Sequence, residues 1–489
     1  MTKDLTTGAP LRLVISFALP ILAGLFLQQV YQFADAVVVG RVLGMDALAA
    51  VGAGGSIVFL LLGFTMGMTN GFAIPVSRAF GAGDEAGVRH AVAAGAILSA
   101  VTALVLTLGG PALTHFLLLL LDTPTELLPD ATAFLAVTML GSTALVAFNF
   151  LSAIIRALGD SITPLIFLAA ASLLNIGLVI AFVGGLGLGV AGAAAATVAA
   201  QLTTVLACLV LIARRMPLLR PRRADWHPHR AQLNESLSLG FPMGFQMSII
   251  AIGALVLQYA INGLGTDAVT AFTAGTRVDQ LAMTPFQAFG MAVATFVAQN
   301  RGAAQWSRIR QGVRHTALLV TVLAVAVGAA CILWGDVMIR AFAGADSDAA
   351  HIIATAHQLL TVNGFLYVML ALLFVFRSAL QGMGRNSVPT LSGVMELALR
   401  TAAALFLVGP LGFLGAVLAA PLAWAGALVP LWGAWHAQQR QLRRLPDGVP
   451  LRAATPDGAP APHATLPPAT ATASHAVAPA LAECCADAS

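Results

Sequence analysis

The sequence predicts an all-α polytopic membrane protein with twelve transmembrane helices in two pseudo-symmetric six-helix lobes. Three observations lead there. Of 489 residues, 58% are apolar and 9% are charged, against about 45–50% and about 25% in soluble domains. Twelve apolar runs reach the ~20 residues that a helix needs to cross a bilayer. The second half of the chain repeats the features of the first in the same order.

The runs fall at 12–40, 48–76, 88–110, 131–153, 162–184, 190–213, 237–262, 270–298, 313–335, 356–381, 388–408 and 414–436. Turn signals separate most of them, including Gly81 to Asp84, Thr123-Pro124, Gly159-Asp160, Gly184-Gly185, Gly263, Gly384 to Asn386 and Gly409-Pro410. The small-residue bias, with 47 glycines, suits helices that approach closely in a membrane. The resulting organisation is an N-terminal segment (1–11), a first lobe (12–213), a polar linker (214–234), a second lobe (235–440) and an Ala/Pro/Thr-rich tail (441–489) expected to be disordered. No cleavable signal peptide is expected.

Charge gives the orientation. The loops between runs 2–3, 4–5, 6–7, 8–9 and 10–11, with both ends and the run edges adjoining them, carry 21 of the 25 Lys and Arg. Cytoplasmic loops hold such an excess, so both termini are expected in the cytoplasm, as an even span count requires. Arg277 and Arg400 read as the cations inside runs. The repeat matches Pro20 to Pro242, Leu43-Gly44 to Leu264-Gly265, Gly81 to Gly302, Gly159 with Pro164 to Gly384 with Pro389, and Gly189 to Gly412. Internal repeats mark many transporter folds, with sites near the midplane between or within the repeats.

An ionisable group inside a span is costly and needs a reason. Asp35 lies in the first run, fifteen residues after Pro20, with Gln28, Gln29, Tyr31 and Gln32 just before it. A carboxylate in an apolar lobe can bind and release a proton or coordinate a cation. Pro20 removes a backbone hydrogen bond and permits a kink. Glu396 and Arg400 are spaced for a helical ion pair. Arg277 and Asp279 do not face each other on a helix, so one of the two is expected toward a cavity. Asn175, Thr197 and Gln201 are embedded neutral polar groups. A substrate cavity is expected from Gln29, Tyr31, Gln201, Met243, Gln246, Met247, Asn262, Arg277, Gln280, Met283, Phe286 and Phe289, since Met-rich surfaces suit promiscuous binding.

The negative signals are also informative. No Walker A pattern, H-E-x-x-H or G-x-S-x-G is present, so no enzymatic activity is expected. No filter sequence supports a channel. The four cysteines have no metal-ligand spacing, and no metal or organic cofactor is expected. Nucleic-acid binding is excluded by the composition.

Residues 20–44, PILAGLFLQQVYQFADAVVVGRVLG, resemble the opening signature of multidrug and toxic compound extrusion (MATE) transporters. So do Arg156 to Asp160 with Pro164, Gln299 to Ala303, and Gln381 to Gly384 with Pro389. The pattern is similar to the bacterial branch of DNA-damage-inducible and MepA-like exporters, within the wider MOP superfamily. The resemblance implies two lobes around a cleft and alternating access. It also implies antiport of bulky, often cationic, drug-like compounds across the cytoplasmic (inner) membrane, driven by H⁺ or Na⁺, by a chain expected to work as a monomer. It assigns Asp35 as the proton or cation residue, with Asn175 and Thr197 joining it in some members. A further acid one turn after the Asn falls on Val179 here, run seven has Gln246 and Ser248 where another branch has a glutamate, and no acid lies in run ten. A bare cation prefers several oxygen ligands, so H⁺ is favoured over Na⁺. A flippase of lipid-linked saccharides from the same superfamily and an intramembrane enzyme are the alternatives.

Overall fold

The computed structural model describes residues 4–121, 123–343 and 349–449. The expected disordered tail from residue 450 onward lies outside them. Among the described residues every regular element is helical. The first lobe comprises α1 (Pro10–Leu43), α2 (Met45–Gly81), α3 (Glu85–Leu120), α4 (Leu128–Leu140), α5 (Ser142–Ala157), α6 (Ile162–Val179) with a π turn to Gly185, and α7 (Gly189–Arg215). The second comprises α8 (Arg230–Asn262), α9 (Thr266–Gly302), α10 (Trp306–Ala343), α11 (Ala349–Gly382), α12 (Ser387–Phe406), the single turn α13 (Val408–Leu411) and α14 (Phe413–Arg443).

Ten of these helices are long and apolar enough to span a bilayer singly, and α4 with α5 forms an eleventh span bent by 47°. The bend sits at Gly141, where the Val198 side chain of α7 fills the space a Cβ would need. The twelfth run is α12, a 20-residue helix whose apolarity is lowered by Glu396 and Arg400. The third helix runs well past its expected end at 110 because Pro111 is accommodated within it. Residues 441–449, expected to open the tail, are helix and turn instead. The Trp306 indole donates to the Val449 carbonyl at 3.0 Å, and the Ser307 N–H donates to Asp447 at 2.9 Å.

The repeat is visible in the backbone. Gly44 and Gly265 open α2 and α9 at φ of 91° and 98°, and Gly159 and Gly384 precede α6 and α12 at 81° and 69°. These left-handed turns favour glycine, which has no Cβ to clash.

The lobes meet at the end of the bundle that carries the basic loops. There α2 packs on α8, and α1 on α9. A Cβ on Gly71 would sit 2.5 Å from the Gly240 Cα and 2.7 Å from the Leu239 carbonyl oxygen, and one on Gly67 would strike the Met243 carbonyl. Gly81 lies against the Gln299 carbonyl and Gly302 against that of Arg78. Ile74, Leu239 and Ala298 form a small apolar cluster across this seam. Arg78 pairs with Glu235, Gln299 donates to the Ala157 carbonyl at 2.8 Å, and Leu5, fully buried, donates its N–H to Gln299 at 3.0 Å. Among the described residues, every hydrogen bond and ion pair joining one lobe to the other lies at this basic end.

Helix α1 belongs to both lobes. Val14, Phe17, Ala18 and Ile21 enter the core of the second lobe, while Val39 enters an apolar cluster of the first. Gly24 faces Leu165 and Leu168 of α6. Pro20 sits where the helix passes from one lobe to the other.

Candidate functional site

Asp35 and Tyr31 are one turn apart on α1 and share a helix face. Helix α6 packs against both α1 and α7, which brings Asn175 and Thr197 beside Tyr31. The Asn175 side-chain N–H donates to the Thr197 hydroxyl at 2.9 Å, and Thr197 donates to the Ala193 carbonyl at 3.2 Å. Tyr31 lines the same cavity as Thr197 and lies within electrostatic reach of Asp35. Tyr31, Ser172, Asn175, Thr197 and Gln201 line one cavity of about 40 Å³. A water occupies about 30 Å³ of liquid volume, so this space fits a water-sized species and not an organic drug.

Two oxygens here are buried without a hydrogen-bond partner among the described residues, Asp35 Oδ1 and Asn175 Oδ1. A buried acceptor left unmatched costs about 1–3 kcal/mol, so both oxygens favour a proton or a cation nearby. One turn beyond Asn175, Val179 is buried within an apolar cluster with Val39, Ala47 and Val183. No second acid stands at that position.

The second lobe holds a larger charged cluster. Asp279 on α9 is buried and accepts from Asn363 at 2.9 Å and from the Tyr367 hydroxyl at 2.6 Å, both on α11. Glu396 on α12 accepts from Arg377 of α11 at 2.9 Å and from Arg400 at 3.3 Å. The expected Glu396–Arg400 pair is therefore a triad, and Arg400 is also within electrostatic reach of Asp279. The two arginines and two carboxylates balance formally. Of Arg277 and Asp279, Arg277 is the exposed one and Asp279 the buried one.

Several expected cavity residues lie elsewhere. Gln246 is buried, donating to the Pro389 carbonyl at 2.6 Å and accepting from Gln381 at 3.0 Å. Its amide ties α8 to α11 and α12. Phe286 and Phe289 belong to the core of the second lobe, with Phe286 against the Tyr367 ring and Met283 packed beside them. Met243 lies in the seam between the lobes. Gln29 is half-buried, and Met247, Asn262 and Gln280 are exposed. Asn262 accepts from Gln258 at 3.0 Å.

Sequence reasoning missed Arg377, Asn363 and Tyr367. Arg377 sits only five residues from the end of α11 and was grouped with the loop that follows, although it is 5% exposed. Asn363 and Tyr367 are four apart on one face of that helix. Tyr367 is one of three tyrosines in the chain, and that scarcity was the available signal.

A family model described as MatE matches residues 20–180 and 242–406, one segment in each lobe. The chain belongs to the MatE family. It is 33% identical over 308 residues to the probable multidrug resistance protein YpnP of Bacillus subtilis, covering 63% of this chain and 68% of that protein. It is 25% identical over 380 residues to the probable multidrug resistance protein NorM of Thermotoga maritima, covering 77% and 80%. Its fold is similar to that of a solved MATE family transporter described as outward-facing, with TM-score 0.84, 21% identity, and 90% and 98% of the two chains covered. MatE proteins are transporters and not enzymes.

Proposed function

We propose that this MatE protein exports bulky organic, often cationic, compounds by alternating access, with protons as the coupling ion. Multidrug export is the role of a relative, the multidrug export protein MepA of Staphylococcus saprophyticus, and fits the probable multidrug resistance role of YpnP and NorM. One observation carries the proton assignment. Asp35 has an unmatched buried oxygen one turn from Tyr31, which lines the cavity of the Asn175–Thr197 pair, while the next position that could supply an acid is the apolar Val179. A single carboxylate suffices for a proton, whereas a metal cation prefers several oxygen ligands.

In this reading the basic end faces the cytoplasm and both termini lie there, in the inner membrane. The seam at α2–α8 and α1–α9 is then the closed cytoplasmic gate, and the lobes part toward the outside. A proton arriving from outside neutralises Asp35, and α1 shifts about Pro20, the point where it changes lobes. Coupling requires that drug and proton differ in affinity between the two states.

Efflux of a fluorescent organic cation from proteoliposomes, driven separately by a pH gradient and by a Na⁺ gradient, tests the reading. We expect transport under the pH gradient alone, lost in Asp35→Asn with membrane insertion intact. Transport driven only by Na⁺ overturns the proton assignment. Undiminished efflux by the variant overturns the role of Asp35, and no transport under either gradient overturns the substrate class.

A further inference from the structure

A cavity of about 520 Å³ lies outside both polar clusters. It is a groove between the basic ends of α10, α11 and α14, lined by Arg310, Arg314, Phe376, Trp435, His436 and Arg443 among others. Among the described residues no carboxylate lines it. Asp447 is held by both the N–H and the hydroxyl of Ser307 and lies within electrostatic reach of Arg310. Among the described residues, none of the three arginines forms a salt bridge, and Arg310 Nε is buried without a hydrogen-bond partner. Three arginines thus share one concavity with Asp447 as the one carboxylate shown within electrostatic reach among the described residues. Arg310 and Arg314 are one turn apart on α10 and so share a helix face.

We propose that this groove binds the phosphate-bearing head group of an anionic phospholipid. Guanidinium groups match phosphate oxygens in a bidentate fork. Phe376 and Trp435 form the apolar floor, stacked with ring centroids 6.5 Å apart. The stripe of α10 that begins with Arg310 and Arg314 continues through Leu318, Val322 and Val325, which are 58%, 68% and 58% exposed. These positions follow the i, i+4, i+7 spacing of one helix face. The site therefore passes from cationic to apolar along the direction in which a lipid in the bilayer passes from head group to acyl chain. Free phosphate has no use for the apolar continuation. Basic concavities between helices on the cytoplasmic side are suited to such head groups.

Delipidated full-length protein in detergent is titrated with phosphatidylglycerol, with phosphatidylcholine and with inorganic phosphate, and bound lipid is counted by native mass spectrometry. We expect the first phosphatidylglycerol to bind at least about tenfold more tightly than phosphatidylcholine, and Arg310→Ala/Arg314→Ala to lose on the order of tenfold of that affinity. Arg310→Lys/Arg314→Lys keeps the charge and retains most of the binding, and Arg220→Ala, away from the groove, leaves it unchanged. Should the double alanine variant fail to fold, Arg443→Ala on the exposed end of α14 gives the same direction with a smaller loss. Equal affinity for the two lipids, unchanged binding in the groove variants, or complete displacement of the lipid by millimolar inorganic phosphate overturns the proposal. The readout is binding, so it stands apart from whether transport is proton-coupled.

Discussion

Gly71→Ala should open the basic end of the transporter. The new Cβ would lie 2.5 Å from the Gly240 Cα, 2.7 Å from the Leu239 carbonyl oxygen and 2.8 Å from the Gly240 nitrogen. All three are backbone atoms of α8, so no side chain can swing away and the helices must separate. Overpacking of this kind costs about 1–3 kcal/mol. The gain in helix propensity on replacing glycine, about 0.5–1 kcal/mol, applies to α2 in either state and leaves their ratio unchanged. At the middle of the range, about 2 kcal/mol, the equilibrium shifts roughly 30-fold toward the state with the seam parted, since 1.4 kcal/mol is tenfold. Spin labels at Ala82 and Gln311, one on each lobe at the basic end, report the separation by pulsed electron paramagnetic resonance. The variant should gain a longer distance that is scarce in the parent. Gly55→Ala is the control, because a Cβ there meets nothing within 4 Å. Matching distance distributions for Gly71→Ala and Gly55→Ala would refute the view that this glycine contact holds the lobes together.

Other consequences of the structure are as direct. Glu396→Gln removes the counterion of two buried arginines and should destabilise the protein by about 3–5 kcal/mol; a thermal midpoint equal to that of the parent removes the triad as a structural element. Tyr367→Phe deprives Asp279 of a 2.6 Å donor and should cost about 1.5–3 kcal/mol, the range for hydrogen bonds to charged groups, read in the same assay. The Ser307 hydroxyl, with the Ser307 and Trp306 backbone N–H groups, holds the Asp447 carboxyl below its usual range. The stability it supplies is complete above the unfolded value, about 3.9, and is lost as pH falls through the lower folded value. Asp447→Asn should therefore be less stable than the parent at neutral pH, with the two unfolding curves converging in acid. A constant difference across that range would argue against the Ser307–Asp447 tie.

The membrane class, the twelve runs and the two-lobe repeat were legible because they depend on features a linear pattern records, namely apolar run length, glycine turns and loop charge. The N-lobe site was legible in part. Asp35 and Tyr31 lie on one helix face, so spacing alone joins them, whereas Asn175 and Thr197 were joined to Asp35 through the family resemblance. The second-lobe cluster was not legible. Asp279, Asn363, Tyr367, Arg377 and Glu396 come from α9, α11 and α12, and nothing local in the sequence states that these three helices converge. Gln246 and Phe286 show the converse limit. Polar and aromatic residues at helical spacing read equally well as a cavity wall or as a core, and only the partners, Pro389 and Gln381 for one and Tyr367 for the other, decide.

The repeat also accounts for the asymmetry of the seam. Gly81 rests on the Gln299 carbonyl and Gly302 on the Arg78 carbonyl. These two contacts exchange under the same offset of 221 residues (302 minus 81, and 299 minus 78), so the pseudo-twofold axis passes between them. The same offset carries Gly67 and Gly71 of α2 to Ala288 and Ala292 of α9. Both alanines are fully buried in the cluster that also holds Phe17, Ala18 and Ile21 of α1. One half of the seam is thus closed by glycines against backbone, and the related half by alanines among side chains. Backbone contact through glycine tolerates no added atom, while side-chain packing can adjust by rotamer. A substitution at Gly71 should therefore move the lobes much more than the equivalent small enlargement at Ala292, even though the two positions are related by the fold's own symmetry.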